Sequence, residues 1–245
     1  MTLSRMVRCS ICLIFVVVLP LTPASLCSGN NSLKTVAHYR VSTKGFTIGE
    51  VTTTQRMTEE GGVACAHFET KTAVKAAFLW MGYQLDAVEK GTLRGGTLTS
   101  YSRKGRENGV AIDVEGHLDH TAFRFDVREA GNTHAVVIPR NTYDYTTMEC
   151  PEALVDFSDR SQMTLNVLDV EKMVVVKRDY RLVRNEHYTV AGKEYPCRVV
   201  DYSDPNKKAR RWINYDGTAV VMYRQDSRGG RTHIPFRRRA WPRSN

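Results

Sequence analysis

Two histidines and an aspartate, His117, Asp119 and His120, stand within one short stretch of the chain. Two imidazoles and a carboxylate could bind a transition metal, because imidazole nitrogen suits zinc, copper and nickel. Residues three apart on a strand face opposite sides, so only a turn would bring both rings to one ion. A polar hairpin loop explains the same residues more simply, and we predict no metal site.

Catalytic motifs do not occur in this chain. The patterns G-x-S-x-G, H-E-x-x-H and S-x-x-K are all missing from the sequence. Cys65 and Cys197 could act as nucleophiles if folding brought a histidine near, but no local pattern marks them. The acidic residues are scattered along alternating segments, where charges mark the solvent-facing side. We therefore predict a protein that is not an enzyme and holds no cofactor.

Residues 1–27 have the three-part pattern of an export signal. Arg5 and Arg8 give a basic start, and Ile11–Leu19 is an unbroken run of nine apolar residues. Nine residues are too few for a helix that crosses about 30 Å of hydrocarbon. We predict that the protein is exported and is periplasmic or extracellular.

The cleavage site stays open between a cut before Ser25 and a cut before Ser28. A lipoprotein would instead be acylated at Cys27, which calls for a small residue just before it. That residue is the bulky Leu26, so we favour a protein without a lipid anchor.

The positive charge is concentrated at the end of the chain. The net charge is +9, and residues 227–245 contain six arginines and no acid. The rest of the predicted mature chain is nearly neutral, so it lacks the basic face of a nucleic-acid-binding fold, and we expect no nucleic acid partner. We predict a basic, disordered tail over 227–245. Its contacts with an anionic membrane surface would come from Arg237, Arg238, Arg239 and Trp241.

Three cysteines, Cys65, Cys150 and Cys197, follow the signal, and Cys27 joins them if the cut precedes it. An oxidising compartment permits disulfides, and four cysteines allow three connectivities. We favour a bond between Cys150 and Cys197, with Cys65 as a buried thiol. The mature part has no CxxC or Cys/His spacing that would suit zinc.

Alternating apolar and polar residues dominate the chain after a polar linker at 28–34. Val110–Glu115 and Phe123–Arg128 alternate with a period of two, and glycine-containing turns separate such segments. This pattern predicts a single mainly β domain over 35–226, built as an antiparallel meander with little helix. Pro139–Arg160 breaks the pattern and predicts a structured loop with a short helix around Pro151–Phe157.

The segment from Phe78 to Leu85 is the strongest candidate for binding a ligand. Phe78, Trp80, Tyr83 and Leu85 would give a lipid or other amphiphile an apolar surface on the concave side of a curved sheet. Alternate members of the segment could instead fill the core, as Met and aromatic residues commonly do. Helix propensity over Val74–Leu85 competes with the strand interpretation, which we adopt.

Several short motifs, in their order along about Leu33–Gly230, resemble an exported bacterial family of β-rich domains of unknown function. These motifs are Tyr39–Glu50, Ala77–Trp80 leading to Glu89 and Gly91, Asn108–Val110, Asn141–Tyr145, Leu168–Glu171, Val190–Lys193 and Arg211–Gly217. That family looks related in architecture to the lipoprotein carriers LolA and LolB. The resemblance implies a strongly curved antiparallel sheet, an open half-barrel whose concave face takes acyl chains. The scarcity of helix departs from those carriers.

Two functional hypotheses follow. The first is an exported, non-enzymatic protein that binds a lipid or other apolar ligand in the half-barrel. The second is a structural or interaction module whose edge strand or arginine-rich tail docks an envelope protein.

Overall fold

The computed structural model describes residues 33–43, 46–78, 81–215, 220–229 and 235–240. Of residues 33, 78, 81, 228–229 and 235–240 it describes the backbone alone. The predicted export signal, most of the linker, Trp80 and Trp241 lie outside the described residues, so export stays a prediction. The helices that are described are too short to cross a bilayer.

Fifteen strands, one short α-helix and one 3-10 turn make up the described chain. In chain order they are β1 (Leu33–Thr43), β2 (Phe46–Glu60), β3 (Val63–Phe78), β4 (Met81–Arg94), β5 (Thr97–Glu107), β6 (Val110–Leu118), β7 (Ala122–Glu129), β8 (Asn132–Pro139), the 3-10 turn (Arg140–Thr142), β9 (Tyr145–Thr146), α1 (Pro151–Leu154), β10 (Gln162–Asp169), β11 (Val174–Val190), β12 (Lys193–Asp204), β13 (Lys207–Tyr215), β14 (Val220–Gly229) and β15 (Pro235–Ala240). The prediction of a mainly β protein with little helix is confirmed.

All fifteen strands belong to one sheet, in the order β8-β7-β6-β5-β4-β3-β2-β1-β15-β14-β13-β12-β11-β10-β9. Every neighbouring pair is antiparallel except β9 with β10. Strand β7 shows why the sequence folds this way, since Phe123, Phe125 and Val127 are buried while Arg124 and Arg128 are exposed. Alternation of this kind places one face of each strand in the core.

The sheet curls so that its two edges approach each other. Strand β8 lies at one edge and β9 at the other, yet only residues 140–144 connect Pro139 to Tyr145. Six peptide steps span at most about 20 Å. The curved, open half-barrel that the resemblance implied is therefore confirmed.

Strand β15 corrects the prediction of a disordered tail. Its backbone pairs with β1 over Tyr39–Thr43 and with β14 over Asp226–Arg228, and β14 itself continues to Gly229. Without β15, both neighbours would present unpaired main-chain donors and acceptors. The sheet thus extends beyond residue 226 to Ala240, and Arg237–Arg239 are strand residues.

The loop predicted over Pro139–Arg160 crosses the inner side of the curled sheet. It contains the predicted short helix as α1, with Pro151 at its start and Glu152 in its first turn. Two apolar clusters receive its side chains. Ala153, Val155 and Phe157 pack with strands β1–β4 and β10–β14, and Tyr143 and Met148 pack with strands β3–β7. The chain thereby fills much of its own interior.

Candidate functional site

Buried ion pairs occupy the interior near one end of the curled sheet. Arg103, on β5, lies with Nε 3.3 Å from Glu89 and with Nη2 3.3 Å from Glu171. Arg103 and Glu89 are each 6% exposed. Burial raises the pKa of Glu89, and it raises the pKa of Glu171 to about 7 against the opposing effect of Arg103. Glu107 lies 3.8 Å from the same guanidinium. Three carboxylates share one guanidinium here, so the site favours retention of a proton.

A second set of buried ion pairs lies on β11–β14. Arg178 donates to Asp204 at 2.7 Å, and its guanidinium stacks on the Tyr202 ring. Arg211 donates to Glu152 of α1, and its Nε donates to Gln225 at 2.7 Å. Unpaired buried charge is costly, and each of these charges has an oppositely charged partner elsewhere in the same chain. The contacts hold the interior segment in place, and this segment occupies space on the concave side that an acyl chain would need.

The predicted ligand-binding residues do not form one open surface. Leu85 is 1% exposed and belongs to the core. Tyr83 is half-buried, and its hydroxyl donates to Glu107 at 3.2 Å. Its pKa is raised, first by burial and then by the Glu107 charge. The side chains of Phe78 and Trp80 lie outside the described residues, so their role stays a prediction.

The predicted disulfide is corrected, because Cys65, Cys150 and Cys197 are all free. The surroundings of the last two thiols differ. Cys197 sits on β12 with Glu186 and Arg184 near it, and burial raises its pKa to about 11. Cys150 precedes α1 and is influenced instead by Arg211 and Glu149. Both thiols pack into the first apolar cluster from different elements.

His117 lies on β6, and Asp119 and His120 lie in the hairpin loop between β6 and β7. Asp119 accepts hydrogen bonds from the backbone N–H groups of Thr121 and Ala122, both at 2.7 Å. These bonds lower the pKa of Asp119. The carboxylate therefore shapes the β6–β7 turn.

A cavity of about 980 Å³ lies on the outward face of β10–β14. Charged side chains of both signs line it, and one indole ring adds an aromatic surface. Its lining includes Thr164, Asp179, Arg181, Asp201, Ser203, Lys208, Arg210, Trp212, Arg224 and Asp226. The volume lies within the range of small-ligand and peptide pockets.

A ladder of opposite charges runs across the cavity floor. Strand register places Arg181 opposite Asp201, Asp201 opposite Arg210, and Arg210 opposite Asp226. Asp201 accepts from Arg181 at 2.9 Å and from Arg210 Nε at 2.6 Å. The Arg210 bond is the first cause that lowers the pKa of Asp201. The carboxylate is thus held ionised between two guanidinium groups.

A cluster of aromatic side chains lies beside this ladder of charges, on strands β11, β13 and β14. The Arg224 guanidinium lies 4.4 Å from the centre of the Trp212 ring, and the indole N–H donates to Glu186. Tyr188 lies 6.5 Å from Trp212 between ring centres, and it stacks on Tyr223 at 5.8 Å. Trp212 and Arg224 join this group to the cavity. Neither feature could be predicted from the sequence, because the charges form a row only once the strand register is known.

A family model for proteins of unknown function, DUF3108, matches residues 38–240. The chain belongs to the DUF3108 family. No curated protein matches it. Its fold is similar to that of a β-barrel-like protein of domain of unknown function DUF1849 from Brucella abortus, solved as a crystal structure, with a TM-score of 0.55. The two chains share 12% identity, and the similarity covers 84% of this chain and 94% of the other.

These comparisons confirm the expected family type and fold. Membership of DUF3108 fits the resemblance to β-rich domains of unknown function, and the DUF1849 structure supports a barrel-like antiparallel sheet. At 12% identity the similarity concerns the fold alone. The likeness to LolA and LolB stays a prediction.

Proposed function

We propose that this DUF3108 protein is an exported, non-enzymatic interaction module that holds a polar segment of an envelope protein in the outward cavity of β10–β14. The observation that carries the proposal is the contrast between the two faces of the sheet. The inner face is occupied by the 140–160 segment and by buried ion pairs. The outer face presents a cavity of about 980 Å³.

The lining of the cavity favours a polypeptide partner over an acyl chain. Arg181 and Asp201 alternate donors and acceptors across neighbouring strands, and the Arg224 guanidinium beside them covers the buried Trp212 ring. A partner segment with carboxylate, ammonium and aromatic side chains finds complementary groups at one site. Lys208 is exposed at the rim of this lining, so it is suited to contact an acidic side chain.

A photo-crosslinking residue at Ser203, which lines the cavity, tests the proposal in intact cells. We expect a defined crosslinked envelope protein, and the same residue placed at the exposed Thr133 on β8 should not produce it. The captured segment, made as a peptide, should then bind the purified protein in calorimetry.

Charge reversal on the rim provides the matched comparison. Lys208→Glu should weaken peptide binding about tenfold, as expected when one complementary rim charge is reversed. Lys177→Glu reverses an exposed lysine on β11 outside the lining and should leave binding unchanged. Equal crosslinking from Ser203 and Thr133, or a stoichiometric extractable acyl lipid, would contradict the proposal.

A further inference from the structure

Strand β8 forms an open edge of the sheet. It stands last in the strand order, and all eight of its residues pair in register with β7, without a bulge. Six of these eight residues are exposed. Within the described chain no strand lies on the other side of β8. Its outer main-chain groups are therefore accessible from outside the molecule.

The β7–β8 turn decides which main-chain groups of β8 point outward. Ala130 and Gly131 form a two-residue turn in which both residues have positive φ, 50° and 80°. The pair that flanks such a turn, Glu129 with Asn132, exchanges hydrogen bonds, and bonded and non-bonded pairs then alternate along the ladder. The residues whose N–H and C=O groups point away from β7 are consequently Thr133, Ala135 and Val137. Within the described chain these outward groups have no hydrogen-bond partner.

The two edges of the sheet are treated differently. Beside β9, the Asp144 N–H donates to the Asn166 carbonyl and the Asp144 side chain accepts from the Asn166 N–H, both at 2.8 Å. Strand β8 has no such cap. It contains no Lys, Arg, Asp or Glu, and its one proline is Pro139 at its end. Charges, bulges and internal prolines keep edge strands from pairing, so β8 lacks the usual protection against a further strand.

The outward residues of β8 are complementary to themselves. In an antiparallel pair of β8 strands with a two-fold axis at Ala135, Ala135 faces Ala135, and Thr133 faces Val137 of the second copy. These three residue pairs exchange about six main-chain hydrogen bonds. The side-chain pairs are neutral, and β-branched pairs such as Thr with Val suit antiparallel strands. On β7 next to this row, Arg124 is already paired with Asp126 at 3.2 Å, so no unpaired charge opposes the contact.

We propose that this protein forms a homodimer in which the β8 strands of two copies pair about this axis and join the two sheets. The neutral, self-complementary row favours a second copy over a charged strand of another protein. Two-fold pairing also closes the assembly, since each copy uses its β8 edge once. One strand pair buries less than the roughly 1,200 Å² of a standard interface, so the dimer is reversible, with a Kd in the micromolar range.

The dimer does not depend on the proposed partner segment. No residue of β8 lines the outward cavity of β10–β14, so the two contacts use different residues. In the photo-crosslinking experiment, the residue at Thr133 should capture a second copy of this chain, and not the envelope protein that is captured at Ser203.

Sedimentation of the protein without residues 1–27, which retains every described strand, tests the proposal. We expect a reversible monomer–dimer equilibrium over about 1–200 µM, because mass action sets the dimer population. Ala135→Pro should raise the Kd at least about tenfold, since it removes an outward N–H and leaves the bonds to β7. Val137→Lys should act in the same direction, because it places a charge in each half of the seam. Val174→Lys, a change at a 41% exposed valine of β11, is the matched control and should leave the Kd unchanged.

Cysteine substitution tests the register. At position 135 the two Cα atoms lie about 5.5 Å apart in the dimer, within the range of a disulfide. Ala135→Cys should therefore give a covalent dimer on mild oxidation. Thr133→Cys should not, because its two copies are four residues apart along the paired strands, about 13 Å.

Two results would overturn the proposal in the sedimentation experiment. One is a protein that stays monomeric over the whole concentration range, and the other is a dimer that Ala135→Pro and Val137→Lys leave intact. Hydrogen exchange gives a third. If the outward amides of β8 are protected in the monomer, another part of this chain covers the edge and the proposal is wrong.

Discussion

Arg103 on β5 contacts Glu171, in the turn between β10 and β11, at 3.3 Å between Nη2 and Oε1. The two residues belong to parts of the sheet that lie nine strands apart in its order. The contact therefore crosses the interior and joins the two arms of the curled sheet. Glu89 shares the same guanidinium at 3.3 Å and Glu107 lies 3.8 Å from it, so the link depends on the charge states of a four-residue cluster.

The pH dependence of stability should reveal this cluster. The pKa of Glu171 is raised from 4.5 to about 7 in the folded chain. The native state thus holds its proton more tightly than the unfolded state. The contribution of Glu171 to stability is complete below about pH 4.5 and is lost as pH rises through about 7. Between pH 5 and pH 8, the unfolding free energy of the Glu171→Gln variant should fall by about 1–3 kcal/mol less than that of the parent protein. Urea unfolding at the two pH values measures this difference.

Glu115→Gln is the matched control, because the Glu115 side chain is 50% exposed on β6. Its pH profile should follow that of the parent protein. If the unfolding free energy of the Glu171→Gln variant depends on pH as steeply as that of the parent, Glu171 is ionised across this range.

Alanine at Gly49 or Gly105 should destabilise the protein by about 2–4 kcal/mol each. The added Cβ would meet the neighbouring strand backbone at 2.6 Å, which flexible side chains cannot relieve. Gly82→Ala is the control, since a Cβ there meets nothing within 4 Å. Denaturant titration measures all three variants, and a small effect at Gly49 would mean that β2 and β3 separate without cost at this level.

Removal of the Glu152 carboxylate should destabilise the interior segment. Glu152→Ala leaves the buried guanidinium of Arg211 without its anionic partner, and we expect a loss of about 3 kcal/mol. Asp113→Ala breaks ion pairs on the outer face, with Arg128 66% exposed, and should cost about 1 kcal/mol or less. Thermal unfolding of both variants compares them directly. Equal effects would show that the buried pair adds nothing beyond an exposed one.

Thiol counting checks the cysteine assignment. The protein without residues 1–27, unfolded without reductant, should react with a thiol reagent at Cys65, Cys150 and Cys197. In the folded state Cys197 should react slowly, because burial raises its pKa to about 11 and leaves little thiolate. Finding a single reactive thiol after unfolding, mapped to Cys65, would restore the disulfide between Cys150 and Cys197.

The strands of this fold could be predicted because their side chains alternate. Phe123, Phe125 and Val127 carry the pattern without ambiguity, and the short helix at Pro151 follows from local rules as well. Strand β15 could not be predicted in this way, since Pro235–Ala240 contains three consecutive arginines. Its strand state depends on ladder partners in β1 and β14 rather than on its own composition.

The functional surfaces were harder to predict than the strands. Arg103 looks like a solvent-facing charge in the sequence, yet it is buried because Glu89 and Glu171 meet it from different strands. Asp201 gains two arginine partners only through strand register. Such contacts are non-local, so neither local propensity nor spacing contains them.

The first and last described strands pair with each other at the middle of the sheet. Strands β1 and β15 occupy its eighth and ninth positions, with seven strands on one side and six on the other. Each of these two groups is mostly a succession of local hairpins that can form as soon as its residues are available. The seam between them has to wait until residues 235–240 are available. If the polypeptide is translocated amino end first, the other fourteen strands would thus reach the far side of the membrane before the sheet could be completed.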